Sequence, residues 1–275
     1  MTTTSFLRRA AVVVTAAMLA ACAGGSATVA PATAPTGASS LSRAQIDAIV
    51  ASPDRSDADR RTDERRKPAE MLAFIGIRPG MAVLDLSAGG GYTTELLARA
   101  VGPTGTAYGQ SRPPPPSPAA ASSAPPRRTT AMALAERANK PAVANIVAVV
   151  QPFENPAPAD RATAGLDIVT LMFNYHDLTY LPVDRAAMNA AVFRALKPGG
   201  VYVVADHSAR PGTGISVAPT LHRIEEAFLR REVEAAGFRL AAEGMFLRNP
   251  DDPRDREEPE PAMPKDEFVL RFVKP

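Results

Sequence analysis

Apolar residues along the chain fall into two spacings. Short unbroken runs such as Ala82-Val83-Leu84-Asp85-Leu86 and Val201-Tyr202-Val203-Val204-Ala205 have the length and β-branched content of buried strands. Between such runs the apolar positions recur every three or four residues, as at Leu96, Leu97 and Val101, which is the spacing of a helix with one buried face. The pattern predicts strands over 82–86, 105–109, 144–150, 166–172 and 200–205, with a closing hairpin over 238–246 and 266–273. It predicts helices over 92–101, 128–139, 183–196 and 221–236. Two helical segments precede them, 41–51 and 57–75, the second charged from Asp57 to Lys67 and apolar at Ala69, Met71, Leu72, Phe74 and Ile75. Alternation of this kind belongs to a doubly wound α/β sheet of about seven strands with helices on both faces. Phe268, Leu270 and Phe272 alternate with polar or smaller residues, so the last strand is expected to be antiparallel with one buried face.

Two stretches carry neither spacing. Residues 23–40 are almost wholly Ala, Gly, Ser, Thr and Pro, too little apolar surface to form a core, and 111–127 is a Pro-, Ala- and Ser-rich insert expected to be disordered or polyproline-like. At the start of the chain Arg8-Arg9 precede an apolar run from Ala10 to Ala20, and Leu19-Ala20-Ala21-Cys22 follows. The run is short for a bilayer span and has the make-up of a signal-peptide core. It resembles a bacterial lipoprotein signal in which Cys22 is lipidated; the alternative is cleavage at small residues with Cys22 incidental. The arginine pair also admits twin-arginine export, although Ala-Ala-Val follows it. The chain thus divides into a signal over 1–21, a tether over 22–41 and one domain over 42–275, with a helical segment at 42–76 and the insert at 111–127. Its expected place is the periplasmic side of a bacterial membrane, lipid-anchored or soluble, touching the membrane only through Cys22.

About 230 residues remain for the domain, enough for one α/β core and no second of comparable size. Lys plus Arg number 31 against 29 Asp plus Glu, a net charge of +2, and no basic stretch is interleaved with aromatics. Nucleic acid is therefore not expected as a main partner. A single cysteine excludes an intrachain disulfide and a multi-cysteine metal centre.

Candidate chemistry begins where the first strand ends. Val83-Leu84-Asp85-Leu86-Ser87-Ala88-Gly89-Gly90-Gly91-Tyr92 delivers a buried strand into a glycine-rich turn and then a helix, whose first amides face any ligand in the crevice. An NAD site would carry Gly-x-Gly-x-x-Gly and an acid about 20 residues further on. Neither is present, and no Asp or Glu occurs from Leu96 to Ala135. In open α/β sheets ligands bind outside the carboxyl ends of the strands. The predicted strands bring Asp85, Ser87, Gly89 and Gly91 to that edge, then Gln110, Gln151 to Glu154, Asn174 to Asp177, and Asp206-His207. All three histidines fall there: His176, His207, and His222 opening the next helix. Imidazole titrates near neutrality and suits proton removal from a hydroxyl or amine. The same rings can instead tie loops together, or hold a transition metal with Asp177 and Asp206. No compact spacing such as His-x-x-x-His occurs, so no metal ligands are assigned from sequence.

From Asp85 the spacing acidic-x-Ser-x-Gly-x-Gly resembles motif I of class I S-adenosylmethionine-dependent methyltransferases, with Ser87 where that motif has its first glycine. Val101 to Tyr108 resembles the turn and second strand of that family, and Leu196-Lys197-Pro198-Gly199-Gly200 its turn into the fifth strand. Arg78-Pro79-Gly80-Met81, Asp167-Ile168-Val169-Thr170 and Ala236-Gly237-Phe238 extend the resemblance over roughly residues 57 to 275. More narrowly, Asn174-Tyr175-His176-Asp177, Asp206-His207 and Leu221-His222-Arg223-Ile224 resemble a group of exported bacterial predicted methyltransferases. The resemblance implies a Rossmann-like sheet, S-adenosylmethionine as cofactor, and methyl transfer to a small molecule or an envelope component. It implies that Asp85, Ser87, Gly89 and Gly91 cradle the methionine part, Gln110 takes the ribose in place of the usual acid, and Phe153 or Glu154 meets the adenine. His176 is the expected base because the segment after the fourth strand faces the transferred methyl in this family. His207 is the second choice, with Asp206 orienting a neighbouring imidazole. The leading segment would lid the cofactor and bring Arg65, Arg66 and Lys67 toward a carboxylate. Two alternatives stand beside this reading: a lipoprotein that keeps the fold and binds a ligand without catalysis, favoured by Ser87 and the missing ribose acid, and a metal-assisted enzyme on the same scaffold.

Overall fold

The computed structural model describes Met1 and residues 39–114 and 128–275. The signal, Cys22, most of the tether and the insert beyond Pro114 lie outside the described residues. Among the described residues no helix is long and apolar enough to cross a membrane.

Seven strands form one sheet: β1 (Ala82–Leu86), β2 (Thr106–Ser111), β3 (Ile146–Val150), β4 (Leu166–Met172), β5 (Leu196–His207), β6 (Arg239–Gly244) and β7 (Glu267–Val273). Their order is β3-β2-β1-β4-β5-β7-β6, with the first five parallel and β7 antiparallel to both of its neighbours. This is the Rossmann-like, mostly parallel sheet that the alternation predicts. The two cores lie on its two faces, and the strand period of two allots them: Val83, Ile168, Val203 and Val269 point to one, Leu84, Val169, Val204 and Leu270 to the other. On the first face pack α3 (Pro68–Ile75), α4 (Tyr92–Val101) and α5 (Thr130–Ala138), through Leu72, Leu97 and Leu134. On the second pack α6 (Arg185–Ala195) and α8 (Glu226–Ala235), through Met188, Val192 and Leu229. Leu84 and Leu97 are wholly buried, so truncating either to Ala costs about 2–5 kcal/mol.

The structure departs from the predicted elements at four places. β7 is buried on both faces, because it is inserted between β5 and β6 rather than lying at the edge. β5 begins at Leu196, since the Lys-Pro-Gly-Gly turn is itself held against the chain end by Gly199 N–H to Lys274 O at 2.8 Å. The predicted helix over 57–75 is two helices, α2 (Asp57–Arg66) and α3, broken at Lys67, which is left-handed at φ 47°. Pro68 causes the break: it disfavours the helical region for the residue before it while starting the next helix well. The helix predicted over 221–236 is likewise two pieces, the single turn α7 (Ala218–Leu221) and α8. His222 therefore does not open a helix but closes α7 in the left-handed conformation, at φ 50°.

Candidate functional site

The carboxyl ends of β1, β2, β3 and β4 surround a cleft of about 450 Å³. Ser87 and Gly89 from the first turn, Gln110 from β2, Phe153 after β3 and Asn174 and Asp177 after β4 line it. The turn is built by three positive φ angles, at Ser87 (55°), Gly89 (53°) and Gly91 (81°), and is closed by Gly91 N–H to Ala88 O at 2.8 Å. Gly89 borders open space, whereas a Cβ on Gly91 would lie 2.7 Å from Leu134 Cδ2 and 2.9 Å from Arg137 Cδ. Glycine at 91 is thus demanded by the packing of α5 as well as by φ.

Gln110 is fully buried and its amide joins three strand ends. Oε1 accepts from Ser87 N–H at 3.0 Å, Nε2 donates to Gln151 O at 2.7 Å, and its own carbonyl accepts from Ala88 N–H at 2.9 Å. It lines the cleft while holding the glycine turn in place. Asp85 sits behind the turn and does not line the cleft. Thr94 donates to its Oδ2 at 2.6 Å and Thr170 to its Oδ1 at 2.9 Å, but burial dominates and pushes the carboxyl up to about 6. Neither threonine was singled out by the sequence; their signal is position, one turn into α4 and mid-way along β4, each beside the strand that carries Asp85. Glu154 turns away from the cleft to accept from Asp184 N–H at 2.9 Å, at the start of α6, so Phe153 is the member of that pair in the wall.

α2 lies over the glycine turn and is fastened by ion pairs. Arg137 of α5 donates to Asp59 at 2.7 Å, to Glu95 at 2.5 Å and to Gly90 O at 2.6 Å, and Asp63 accepts from Arg55 and from Tyr92 OH, each at 2.7 Å. Arg66, at the end of α2, stacks on Phe173 with its guanidinium carbon 3.5 Å from the ring centroid. Its Nε is buried with no hydrogen-bond partner among the described residues. Burial and the neighbouring Arg65 push its pKa down to about 10. Arg65 pairs instead with Glu267 at 2.8 Å, and Lys67 is exposed.

The three histidines converge. The His176 ring centroid lies 5.6 Å from that of His207 and 5.6 Å from that of His222. Asp206, fully buried at the end of β5, is the hub: its Oδ1 is 2.6 Å from His176 Nδ1 and accepts from His207 N–H at 2.8 Å, while Oδ2 accepts from His176 N–H at 2.8 Å. Burial works to lower the His176 pKa, but the hydrogen bond and charge of Asp206 outweigh it, and the net shift is upward. His207 Nδ1 lies 3.0 Å from Glu267 Oε1 without the alignment of a hydrogen bond. His222 approaches Asp177 and Tyr180. Tyr180, which the sequence reading missed, reaches Asp177 because a 3-10 turn over Asp177–Thr179 brings residues three apart together. Of the five residues considered as metal ligands, His176, Asp177 and His222 offer ligand atoms within 4.8 Å of one another; Asp206 stands behind His176 and His207 faces Glu267.

No family model matches the chain. The structure is similar to a SAM-dependent methyltransferase from Aquifex aeolicus, at 19% identity over 86% of this chain and 100% of that one, with a TM-score of 0.53. It is similar to an arsenic (III) S-adenosylmethionine methyltransferase from Chlamydomonas reinhardtii, at 16% identity over 84% of this chain and 73% of that one, TM-score 0.51. The cyclase SpnF matches at 15% identity over 76% of this chain and 82% of that one, TM-score 0.53. One fold therefore carries proteins named for different reactions, and chemistry has to be argued from the site. The chain has the Rossmann-like methyltransferase fold.

Proposed function

We propose that the protein binds S-adenosylmethionine in the cleft at the end of β1 and β2 and transfers its methyl group to a small molecule or an envelope component. The observation that carries this reading is Arg66. Arg66 is half-buried, and a buried, unpaired Nε is costly unless a ligand supplies an acceptor; the side chain lines a small apolar pocket with Tyr92 and Thr93, where the glycine turn beside the cleft enters α4. The carboxylate of a methionine moiety is such an acceptor, and the open side of Gly89 leaves room for the backbone of the turn to approach it. When bound, the cofactor would supply an activated methyl on a sulfonium, whose neutral thioether is a good leaving group.

His176 then takes the acceptor's proton at Nε2. Its Nδ1 donates to Asp206, which fixes the tautomer and stabilises the imidazolium once formed. His207, on the same carboxylate, is the second candidate. Ser87 and Gly89 cradle the methionine part, Gln110 meets the ribose and Phe153 the adenine, and Asp85 and Gly91 shape the turn from behind. We place the reaction on the exported side of a bacterial membrane, with Cys22 as the anchor, on the strength of Arg8-Arg9, Leu19-Ala20-Ala21-Cys22 and the motif resemblance to the exported predicted-methyltransferase group.

A second reading is favoured by Gln110, whose amide is already engaged on both sides. It is a binding protein that uses the same cleft for another ligand without catalysis. Calorimetric titration of the full chain with S-adenosylmethionine separates the two. Binding tighter than about 100 μM supports the transferase, and none up to about 1 mM gives the second reading.

A further inference from the structure

Asp177 Oδ1 is the meeting point of two imidazoles, at distances longer than a hydrogen bond, and Tyr180 OH lies 3.4 Å from His222 Nδ1 beside it. The carboxylate oxygen lies 3.4 Å from His176 Nε2 and 3.5 Å from His222 Nδ1. A charge-assisted N–H···O bond would be about 2.7–2.9 Å long. Two ligands each about 2.0–2.2 Å from one ion at the tetrahedral angle stand roughly 3.3–3.6 Å apart. The third pair, His176 to His222, lies within 4.8 Å, and the half-exposed His222 ring can close on an ion that holds the other two.

The supporting contacts are those of a metal centre. His176 is buried, and its Nδ1 is committed to Asp206 at 2.6 Å, so the lone pair of the neutral ring lies on Nε2, facing the triangle. A carboxylate behind a histidine fixes ring and tautomer in this way at many metal sites. Asn174 Nδ2 donates to Asp177 Oδ2 at 2.6 Å, which turns Oδ1 toward the rings, and Tyr180 OH donates to that same Oδ1. His222, with 40% of its side chain exposed, leaves the outer side open to solvent and to a substrate. Carboxylates of Asp177, Asp206 and Glu257 surround the position; Lys265 is the opposing charge near His176.

We propose that His176 Nε2, Asp177 Oδ1 and His222 Nδ1 bind a divalent transition-metal ion, with open positions for water or an acceptor oxygen. Two imidazoles and one carboxylate select zinc, iron or manganese over magnesium or calcium. The site goes beyond the methyl-transfer reading and does not depend on it. It also competes with one part of it, because Nε2 of His176 cannot hold a metal and accept a proton at once. An ion held there would lower the pKa of a neighbouring hydroxyl, a task otherwise left to the imidazole base.

The test is calorimetric titration of the full chain, stripped with a chelator, with Zn²⁺ alone at pH 7.5. One equivalent per chain should bind at micromolar affinity or better. His222→Ala and Asp177→Asn, each checked for an unchanged thermal midpoint, should each weaken it by at least about tenfold. His207→Ala should leave it unchanged. Absence of binding up to about 100 μM Zn²⁺ overturns the proposal, as does undiminished affinity in both folded ligand variants. Cofactor titration of the same samples is a separate reading: loss of S-adenosylmethionine binding by the unsubstituted chain would remove the transferase proposal and leave the metal result standing.

Discussion

Arg66 stacks on Phe173 at 3.5 Å, yet its Nε finds no acceptor among the described residues. The stacking recovers part of the cost of burying the cation, on the order of 1–2 kcal/mol. On the proposed reading the remaining cost is offset when an anion binds beside the unpaired Nε.

Arg66→Met should therefore stabilise the ligand-free protein, or leave it unchanged, while weakening S-adenosylmethionine by about 10–100-fold, the loss of one charged hydrogen-bonded contact. Methylthioadenosine, which lacks the amino-acid part, should bind both forms alike. Equal losses for the two ligands would mean that Arg66 acts by shaping the cleft and not by meeting a carboxylate.

The two glycines of the turn should behave differently. Gly91→Val places a side chain against Leu134 and Arg137 at φ 81°, and should lower stability by about 2 kcal/mol or more. Gly89→Ala adds a methyl whose nearest neighbour is Ser87 O at 3.9 Å, so its stability loss should stay near the ~1 kcal/mol of a left-handed residue while cofactor affinity falls. Urea denaturation beside cofactor titration checks both. A Gly91→Val protein of ordinary stability would move the demand for that glycine from α5 to the ligand.

The contrast between these glycines shows what was legible in the sequence. The buried strands announced themselves through unbroken runs such as Val83-Leu84, and Pro68 already carried the signal for the break that splits α2 from α3. The approach of His176 and His207 on one sheet edge followed from the predicted strands, whereas His222 joins them from the end of α7. What could not be read was the direction of side chains. Gln110 and Glu154 both sit at the predicted edge, but Gln110 folds back onto Ser87 and Gln151 and Glu154 takes the N–H of Asp184, the residue that caps α6, because nearby backbone N–H and C=O groups needed partners. The left-handed His222 was equally hidden, since nothing in Thr-Leu-His-Arg marks a single-turn helix that stops there.

Asp85 gives the protein a pH dependence of unusual sign for a carboxylate. Its folded pKa is about 6 against an ordinary 3.8, because burial outweighs the two threonine hydroxyls. Between those values the folded state keeps a proton that the unfolded chain has released, so the stability from this group is complete below about pH 4 and is lost as pH rises through about 6. Asp85→Asn mimics the protonated form and can still pair with both threonines. Relative to the unsubstituted protein it should gain on the order of 2–3 kcal/mol on going from pH 4 to pH 7. Denaturation midpoints for both proteins at the two pH values measure this, and a difference that does not change with pH would show that Asp85 is ionised in the fold.

The two roles open to His176 make opposite predictions for its neighbour His222. If His176 is a base working without metal, His176→Ala should slow methyl transfer by about 10²–10⁴-fold, the usual loss for a positioned imidazole. His222→Ala should then change the rate only a few-fold, because His222 reaches the reaction through Asp177 alone. If the two rings share an ion, both substitutions should fall together, and the unsubstituted protein should lose activity with chelator and regain it with Zn²⁺ or Mn²⁺. Asp206→Asn adds a third point. It keeps one carboxamide oxygen, so one of the backbone N–H groups of His176 and His207 loses its acceptor at a cost of about 1–3 kcal/mol, and it removes the charge that holds the His176 pKa up. The rate of the metal-free base should then fall and its pH optimum shift downward, since a less basic imidazole is free to accept a proton at lower pH. A rate that survives His176→Ala in a folded protein, with or without added metal, would remove His176 from the reaction and leave His207 as the base on this edge.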